Sequence, residues 1–485
     1  MSERPIRRRK RPRQWRQINF PKRGIYRISP NPARPIRQRA VELWDRVRAS
    51  IRSTLLWLAI AALCFVAGVP YLAPVALVVA FAVFLFRPHL QPLILRLDDD
   101  FGTDSAEFLS TLAGVTGVPM LPGNQVRIYN NGDEFYPAIL HAVSTAQFSI
   151  TMEQYIFTTS TIAREFAEAC AARAQAGVSV KLLVDAVGSG ALSAEIIEIL
   201  QTAGCELRWF HPIRWYNLHR VNNRTHRKSI IVDGQIAFTG GAGLDDHWRG
   251  NARNPREWRD LHIRLDGPAV TPLQTGFALN WLLTTGEVIT GPRYYPVFEP
   301  NDGVEVQTVL SSPKGDLYTA SVLYQLAIRC ARQSIYITNP YFVPSDQTIG
   351  LLEDAAARGV EIKVIVAGAH NDSWWARMNS VRLYGTLLGA GVEIYEYQPS
   401  MIHQKTMIVD HIWATVGTSN FDDRSFRLNE ESNVCFYDPE LVEQLRRIFL
   451  EDLARCSRVA SATWRARGVR HRIGELAASL LKDQV

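Results

Sequence analysis

The chain has 485 residues, 47% of them hydrophobic and 21% charged, a globular balance long enough for two or three domains and able to bury a core. Its net charge of +7 is unevenly placed: residues 1–52 hold 17 Lys and Arg against 3 Asp and Glu, which leaves residues 53–485 net −7. That excludes reading the whole molecule as a nucleic-acid binder on charge, and the 10% aromatic content excludes a wholly disordered chain. Six cysteines without a CxxC pair argue against structural zinc and for a reducing, cytosol-facing environment.

In chain order, residues 1–52 read as a basic cytoplasmic leader that includes Arg7-Arg8-Arg9-Lys10-Arg11. Next comes an expected transmembrane segment, residues 53–88, in which the 33 residues from Thr54 to Phe86 carry no charged side chain. Crossing hydrocarbon takes about 20 helical residues, so the run exceeds one span, falls short of two, and is interrupted by Gly68-Val69-Pro70 and Pro74. It reads as a helical hairpin or a single kinked span. The basic leader sets the N-terminus on the cytoplasmic side and suits a surface of anionic lipid. The long stretch before the run and the absence of a small-residue cleavage site argue against a secretory signal peptide.

After an expected linker, 89–124, the chain repeats itself over 125–295 and 296–485. In the first copy a strand over 147–155, a helix over 161–176 and a strand over 178–184 are predicted. The second copy matches with a strand over 333–341, a helix over 346–358 and a strand over 360–366. Both helices stop at a glycine, Gly177 and Gly359. Strands alternating with helices predict an α/β fold with a parallel or mixed sheet in each half, and two such halves suggest a pseudo-two-fold. Residues 439–456 read as an amphipathic helix.

The repeat carries its chemistry at corresponding places. The first half reads His226-Arg227-Lys228, four residues, Asp233, then Gly240-Gly241; the second reads His403-Gln404-Lys405, four residues, Asp410, then Gly417-Thr418-Ser419-Asn420. Lysine is scarce, eight against 46 arginines, so two such matches in register are a strong signal. Residues two apart in a strand share a face. Each strand therefore offers an imidazole beside an ammonium. A lysine next to a ligand opposes a metal cation, whereas a phosphodiester wants a positive cradle, so no metal and no cofactor are expected.

Two His and two Lys around one phosphate suffice for covalent catalysis, with one His attacking phosphorus and the other moving the proton. Lys228 and Lys405, with Asn420 and nearby hydroxyls such as Ser419, would stabilise the non-bridging oxygens. A nucleophilic imidazole must be neutral and oriented, and Glu431 and Asp260 are the expected orienting carboxylates. The motif groups Asp233 and Asp410 with the catalytic set; read alone, each suits pinning the turn that follows its strand. The tryptophans, Trp374 and Trp375 included, are expected in the core.

These residues resemble the phospholipase D superfamily and, within it, the bacterial cardiolipin synthases. The resemblance also rests on Trp258-Arg259-Asp260, Gly267-Pro268-Ala269-Val270, Tyr341-Phe342-Val343-Pro344 and the run Asn420 to Asn429. It implies two phospholipase D-like α/β repeats related by a pseudo-two-fold, preceded by a transmembrane helical segment in a bacterial inner membrane. It further implies phosphatidyl transfer between two phosphatidylglycerol molecules through a phosphatidyl-histidine, without metal, giving cardiolipin and glycerol. His226 and His403 are then the nucleophile and acid, with His226 favoured as nucleophile, Lys228 and Lys405 the phosphate ligands, and Glu431 a His orienter. Gly243 stands where Asn is expected and Asn280 where Asp is expected, so the half-sites are unequal. Hydrolysis by a phospholipase D and transfer to another alcohol are the alternatives, because the sequence does not reveal the acceptor. A nuclease fits less well with the apolar segment and the net-negative catalytic region, so no nucleic-acid partner is expected.

Overall fold

The computed structural model describes residues 99–465 apart from 214–222, 300–301 and 314–317, together with residues 74, 77, 78, 95, 97 and 468. The leader and nearly all of the expected transmembrane segment lie outside the described residues. No helix among the described residues is long and apolar enough to cross a membrane.

The first half comprises α1 (Ala106–Thr116), β1 (Leu121–Asn130), α2 (Gly132–Ser144), β2 (Ser149–Gln154), α3 (Thr161–Gln175), β3 (Ser179–Asp185), α4 (Ala194–Thr202), β4 (Glu206–Phe210), β5 (Ser229–Val232), β6 (Ile236–Gly240), β7 (Leu261–Asp266) and α5 (Val270–Thr285). The second comprises β8 (Val304–Ser311), α6 (Thr319–Cys330), β9 (Ser334–Thr338), α7 (Asp346–Ala357), β10 (Glu361–Ala367), α8 (Trp374–Gly389), β11 (Glu393–Tyr397), β12 (Thr406–Val409), β13 (Trp413–Gly417), α9 (Asp423–Arg427), β14 (Glu431–Tyr437), α10 (Pro439–Leu453), β15 (Cys456–Arg458) and α11 (Ser461–Arg465).

The strands run in the order β15-β11-β10-β9-β12-β13-β14-β8-β1-β7-β6-β5-β2-β3-β4. Read outward from the β8/β1 junction, the seven strands of the first half follow the same order as seven of the second, with β15 alone unmatched, as a pseudo-two-fold requires. β2, β3 and β4 pair in parallel, as do β9, β10 and β11, while β5 and β12 join antiparallel. The mixed α/β expectation holds in both halves.

Local chemistry explains the matched helices. Ser160 and Ser345 cap α3 and α7 by accepting the backbone N–H groups of Ala163 and Thr348. Gly177 and Gly359 follow with φ of 92° and 89°, a left-handed stop that a side chain would strain. The stretch expected as a linker carries α1, which packs onto the second half: Phe108 meets Trp413 edge to face at 6.1 Å and both are fully buried.

Every residue of β2, β5, β12 and β13 is buried, as expected of strands covered on both faces. One apolar cluster serves both halves, with Ile231, Ile263 and Leu265 packed in the same core as Ile408, Val416 and Phe436. That shared core fixes the entries to β5 and β12 relative to one another, and the two His-x-Lys segments lie there.

Candidate active site

His226 and Lys228 immediately precede β5, and His403 and Lys405 precede β12. Each His-x-Lys segment is held by backbone of the opposite half. The N–H of His226 donates to the carbonyl of Glu430 at 2.9 Å, and the N–H of His403 donates to the carbonyl of Arg259 at 2.7 Å. Thr225 bridges to Glu430 and Arg259 to Ile402 as short parallel pairings.

The side chains cross over in the same way. His226 Nδ1 lies 3.0 Å from both carboxylate oxygens of Glu431, and His403 Nδ1 lies 2.9 Å from Asp260 Oδ2. Each histidine is thus oriented by a carboxylate from the other repeat. Thr418 Oγ1 donates to Glu431 at 2.5 Å. Asp260 receives the indole N–H of Trp248 at 3.0 Å and the backbone N–H of Leu261 at 2.8 Å. Gly241, the counterpart of Thr418, leaves no room for a side chain, since a Cβ there would stand 2.4 Å from Asp260 Oδ1.

Electrostatics follow from burial. Burial, only partly opposed by Glu431, lowers the His226 pKa to about 4. Burial and then the Lys405 charge lower His403 to about 3. Both imidazoles are therefore neutral at pH 7. Glu431 and Asp260 stay below their ordinary values despite burial, because their histidines and the nearby lysines favour the anion. Burial followed by the Lys405 charge brings Lys228 down to about 7, and burial brings Lys405 to about 8 against the pull of Asp260.

The lysines differ. Lys405 Nζ is 2.9 Å from His403 Nε2 and donates to the His403 carbonyl at 2.5 Å, whereas Lys228 Nζ donates to the His226 carbonyl at 3.0 Å. Tyr155 packs edge to face on His226 at 5.1 Å, with Lys228 Nζ 5.5 Å from its ring centre.

Asp233 and Asp410 do not join this cluster. Asp233 accepts the N–H groups of Gln147, Phe148 and Ser149; Asp410 accepts those of Arg332, Gln333 and Ser334 and the Thr103 hydroxyl. Four residues of extended chain lie between each and its lysine, a distance of roughly 16 Å. They pin turns, which corrects their grouping with the catalytic residues. Ser419 is fully buried and its Oγ accepts from Asn433 at 2.7 Å, so it braces the loop. Asn420 Oδ1 is buried without a partner among the described residues. A Cβ on Gly243, the counterpart of Asn420, would stand 2.7 Å from the Ile156 carbonyl oxygen, so the first half-site has no amide and no space for one.

Sequence reasoning missed Trp248 and the buried pair of Arg224 and Asp185, 3.5 Å apart, and it read Thr418 only among the hydroxyls near Asn420, not as a partner of Glu431. It also misplaced two tryptophans. Trp248, Trp281 and Trp413 are fully buried, but Trp374 and Trp375 are 48% and 43% exposed and meet edge to face at 4.9 Å. Asp372, just before them, accepts the Tyr341 hydroxyl and contributes to the field at Lys405.

The residues bear comparison with known proteins. The family described as "Cardiolipin synthase, PLD-like domain" matches residues 139–254 and 325–453. Cardiolipin synthase 2 of Bacillus cereus is 34% identical over 401 residues, 82% of this chain and 75% of that one. Cardiolipin synthase A of Pseudomonas putida is 30% identical over 384 residues, 79% of each chain. The crystal structure of phosphatidylserine synthase from Haemophilus influenzae superposes with a TM-score of 0.62 at 14% identity, over 78% of this chain and all of that one, a likeness of fold. With one His-x-Lys segment inside each matched region, the chain belongs to the cardiolipin synthase family of phospholipase D-like enzymes.

Proposed function

We propose that this phosphatidyltransferase joins two phosphatidylglycerol molecules into cardiolipin and free glycerol through a phosphatidyl-histidine. The observation that carries the reading is the crossed pair of neutral, carboxylate-oriented imidazoles beside two buried lysines. The diester of the first lipid lies against Lys228 and Lys405. His226 Nε2 attacks phosphorus, the bond from phosphorus to the headgroup glycerol oxygen breaks, and His403 Nε2 delivers the proton that oxygen needs. A hydroxyl of the second lipid's glycerol then returns a proton to His403 and attacks phosphorus. The phosphorus–nitrogen bond breaks and cardiolipin leaves.

His226 is assigned the attack because Lys405 occupies the lone pair of His403 Nε2, while Lys228 binds the His226 carbonyl instead. In the empty site burial and Lys405 keep His403 unprotonated. The diester anion offsets that repulsion, so His403 takes up a proton from water as the diester binds. Asn420 supplies an amide to a non-bridging oxygen on one side only. Donors of this kind, two ammonium groups and an amide, stabilise the phosphorane charge directly, and turnover is expected to withstand EDTA.

Residues 53–88 anchor the enzyme in the bacterial inner membrane with the leader on the cytoplasmic side, and Trp374 and Trp375 face the lipid surface from which substrate enters. The test is the purified full chain in phosphatidylglycerol vesicles with products resolved by mass. Cardiolipin with equimolar glycerol is expected, lost in His226→Ala and His403→Ala. Phosphatidic acid as the sole product would make the enzyme a hydrolase, and substantial turnover in either alanine variant would sink the paired-His mechanism.

A further inference from the structure

The neighbours of the two His–carboxylate pairs are built differently. In the first pair, Arg227 next to His226 reaches Glu430 next to Glu431, with Nη2 to Oε2 at 2.9 Å. The residues flanking histidine and carboxylate thus bond directly. In the second pair the flanks differ: the neutral Gln404 flanks His403 and the cationic Arg259 flanks Asp260. Between Gln404 and Arg259 stands Asp452, projecting from α10. Its Oδ1 accepts Arg259 Nε at 2.8 Å and its Oδ2 accepts Gln404 Nε2 at 2.7 Å, and it is 3% exposed. Arg259 continues through Nη1 to Asn131 Oδ1 at 3.0 Å and the Asp260 carbonyl at 3.1 Å. At the corresponding place on α5 stands Asn280, whose amide donates to Glu153 at 2.6 Å, so the two helices support their half-sites by different means.

We propose that Asp452 is a positioning residue for the acid–base pair His403–Asp260, acting through Arg259 and Gln404. This rests on the assignment of His403 as the group that protonates the departing glycerol. The carboxylate holds one residue on each side of the pair, and Arg259 and Gln404 are each covalently joined to the group being positioned. Among the described residues nothing else bonds the Gln404 side chain, whose Oε1 is buried without a partner there. Without Asp452 the segments carrying His403 and Asp260 lose their common strut, and a displacement of about 1 Å at a reacting group costs on the order of 10²-fold in rate.

The experiment uses two substrates and the full chain in vesicles. Phosphatidylglycerol needs its leaving oxygen protonated; phosphatidyl-p-nitrophenol does not, because p-nitrophenolate departs as the anion. Asp452→Ala is expected to lower kcat on phosphatidylglycerol about 10²-fold with KM within 2-fold, while the p-nitrophenolate burst falls less than 3-fold. Gln404→Leu leaves the Arg259–Asp452 ion pair intact and removes only the strut on the histidine side. It should give about a 10-fold loss with the same dependence on leaving group, and it carries the test if Asp452→Ala does not fold. Equal losses on both substrates, or wild-type turnover of phosphatidylglycerol in both variants, would overturn the proposal. His403→Ala is the internal reference: if the activated ester fails to restore its burst, the acid role of His403 is wrong, whatever the Asp452 variants do.

Discussion

Replacing Glu431 by glutamine keeps the size of a fully buried side chain and removes its charge at the point where the mechanism most needs it. When His226 Nε2 bonds to phosphorus its ring becomes cationic, and the ring Nδ1 stands 3.0 Å from both Glu431 oxygens. With charge centres roughly 4 Å apart and an effective dielectric near 20, the attraction is about 4 kcal/mol. If about half of the charge has developed in the transition state, about 2 kcal/mol is transition-state stabilisation, about 30-fold in rate. The weaker hydrogen bond to a neutral acceptor adds about 1 kcal/mol. The new amide has a workable orientation. Thr418 Oγ1 also lies 3.3 Å from the Ser432 carbonyl, so its hydroxyl can turn there and accept the amide N–H, leaving the amide oxygen on Nδ1. The expected result for Glu431→Gln is a fall in kcat of about 10²-fold with little change in KM, measured as initial cardiolipin formation by mass spectrometry in phosphatidylglycerol vesicles. A fall nearer 10⁴-fold would mean that the amide had reversed and inverted the imidazole tautomer. A kcat within 3-fold of wild type, or an effect confined to KM, would refute the orienting role.

The pH profile has defined limbs. His226 must be unprotonated to attack, so its protonation cuts kcat/KM as pH drops through about 4; His403, at about 3 before substrate binds, must gain a proton to act as the acid, so kcat/KM declines with rising pH above these values, and more steeply through about 7 to 8 where the lysines lose the charge that holds the diester. A bound anion raises both lysine values, so the basic limb of kcat should lie at higher pH than that of kcat/KM, and coincident limbs would contradict the lysine assignment. Gly243→Asn should not restore symmetry: with the Ile156 carbonyl 2.7 Å from the new Cβ, it should lower the thermal midpoint, at a cost of about 1–3 kcal/mol, and a gain in activity would be the contrary result. Replacing the exposed Trp374 and Trp375 together by Ser should raise KM for vesicles several-fold and leave turnover of a short-chain, micellar phosphatidylglycerol near wild type; equal effects on both would place them outside the lipid contact.

Much of this arrangement is legible along the chain because it is local. The His-x-Lys spacing puts two side chains on one face at a strand entry, and the glycines after α3 and α7 announce the repeat through backbone conformation. The carboxylates Glu431 and Asp260 are legible as candidates, but which histidine each serves is not, because the crossing depends on a topology that brings residues 205 and 143 positions apart together. Asp452 is less legible still: it sits in an amphipathic helix among other acids, and its partner Arg259 is 193 positions away. Asp233 and Asp410 mislead for the opposite reason. They are close in sequence to the lysines, yet a strand carries them to the far end of the sheet, where backbone N–H groups consume them. Trp374 and Trp375 show the limit of composition, since apolar residues at a helix start face the core or the outside according to a tertiary setting the sequence leaves open.

The inequality of the half-sites bears on how one enzyme can use the same lipid as donor and acceptor. A symmetric pair of histidines would attack either way, and each would need to be the proton carrier while the other was bonded to phosphorus. Here the difference is built in before substrate arrives. Lys405 engages Nε2 of His403 but Lys228 leaves that of His226, and Asn420 has no partner across the axis because Ile156 fills the space beside Gly243. The supports follow suit, with a direct Arg227–Glu430 pair behind His226, proposed to attack, and a three-residue strut, Gln404–Asp452–Arg259, behind His403, proposed to transfer the proton. Introducing an acid at position 404 without altering 452 would therefore bury an unmatched group. The duplication thus supplies two histidines, each oriented by a carboxylate of the other repeat, and their unmatched surroundings make the two half-sites unequal.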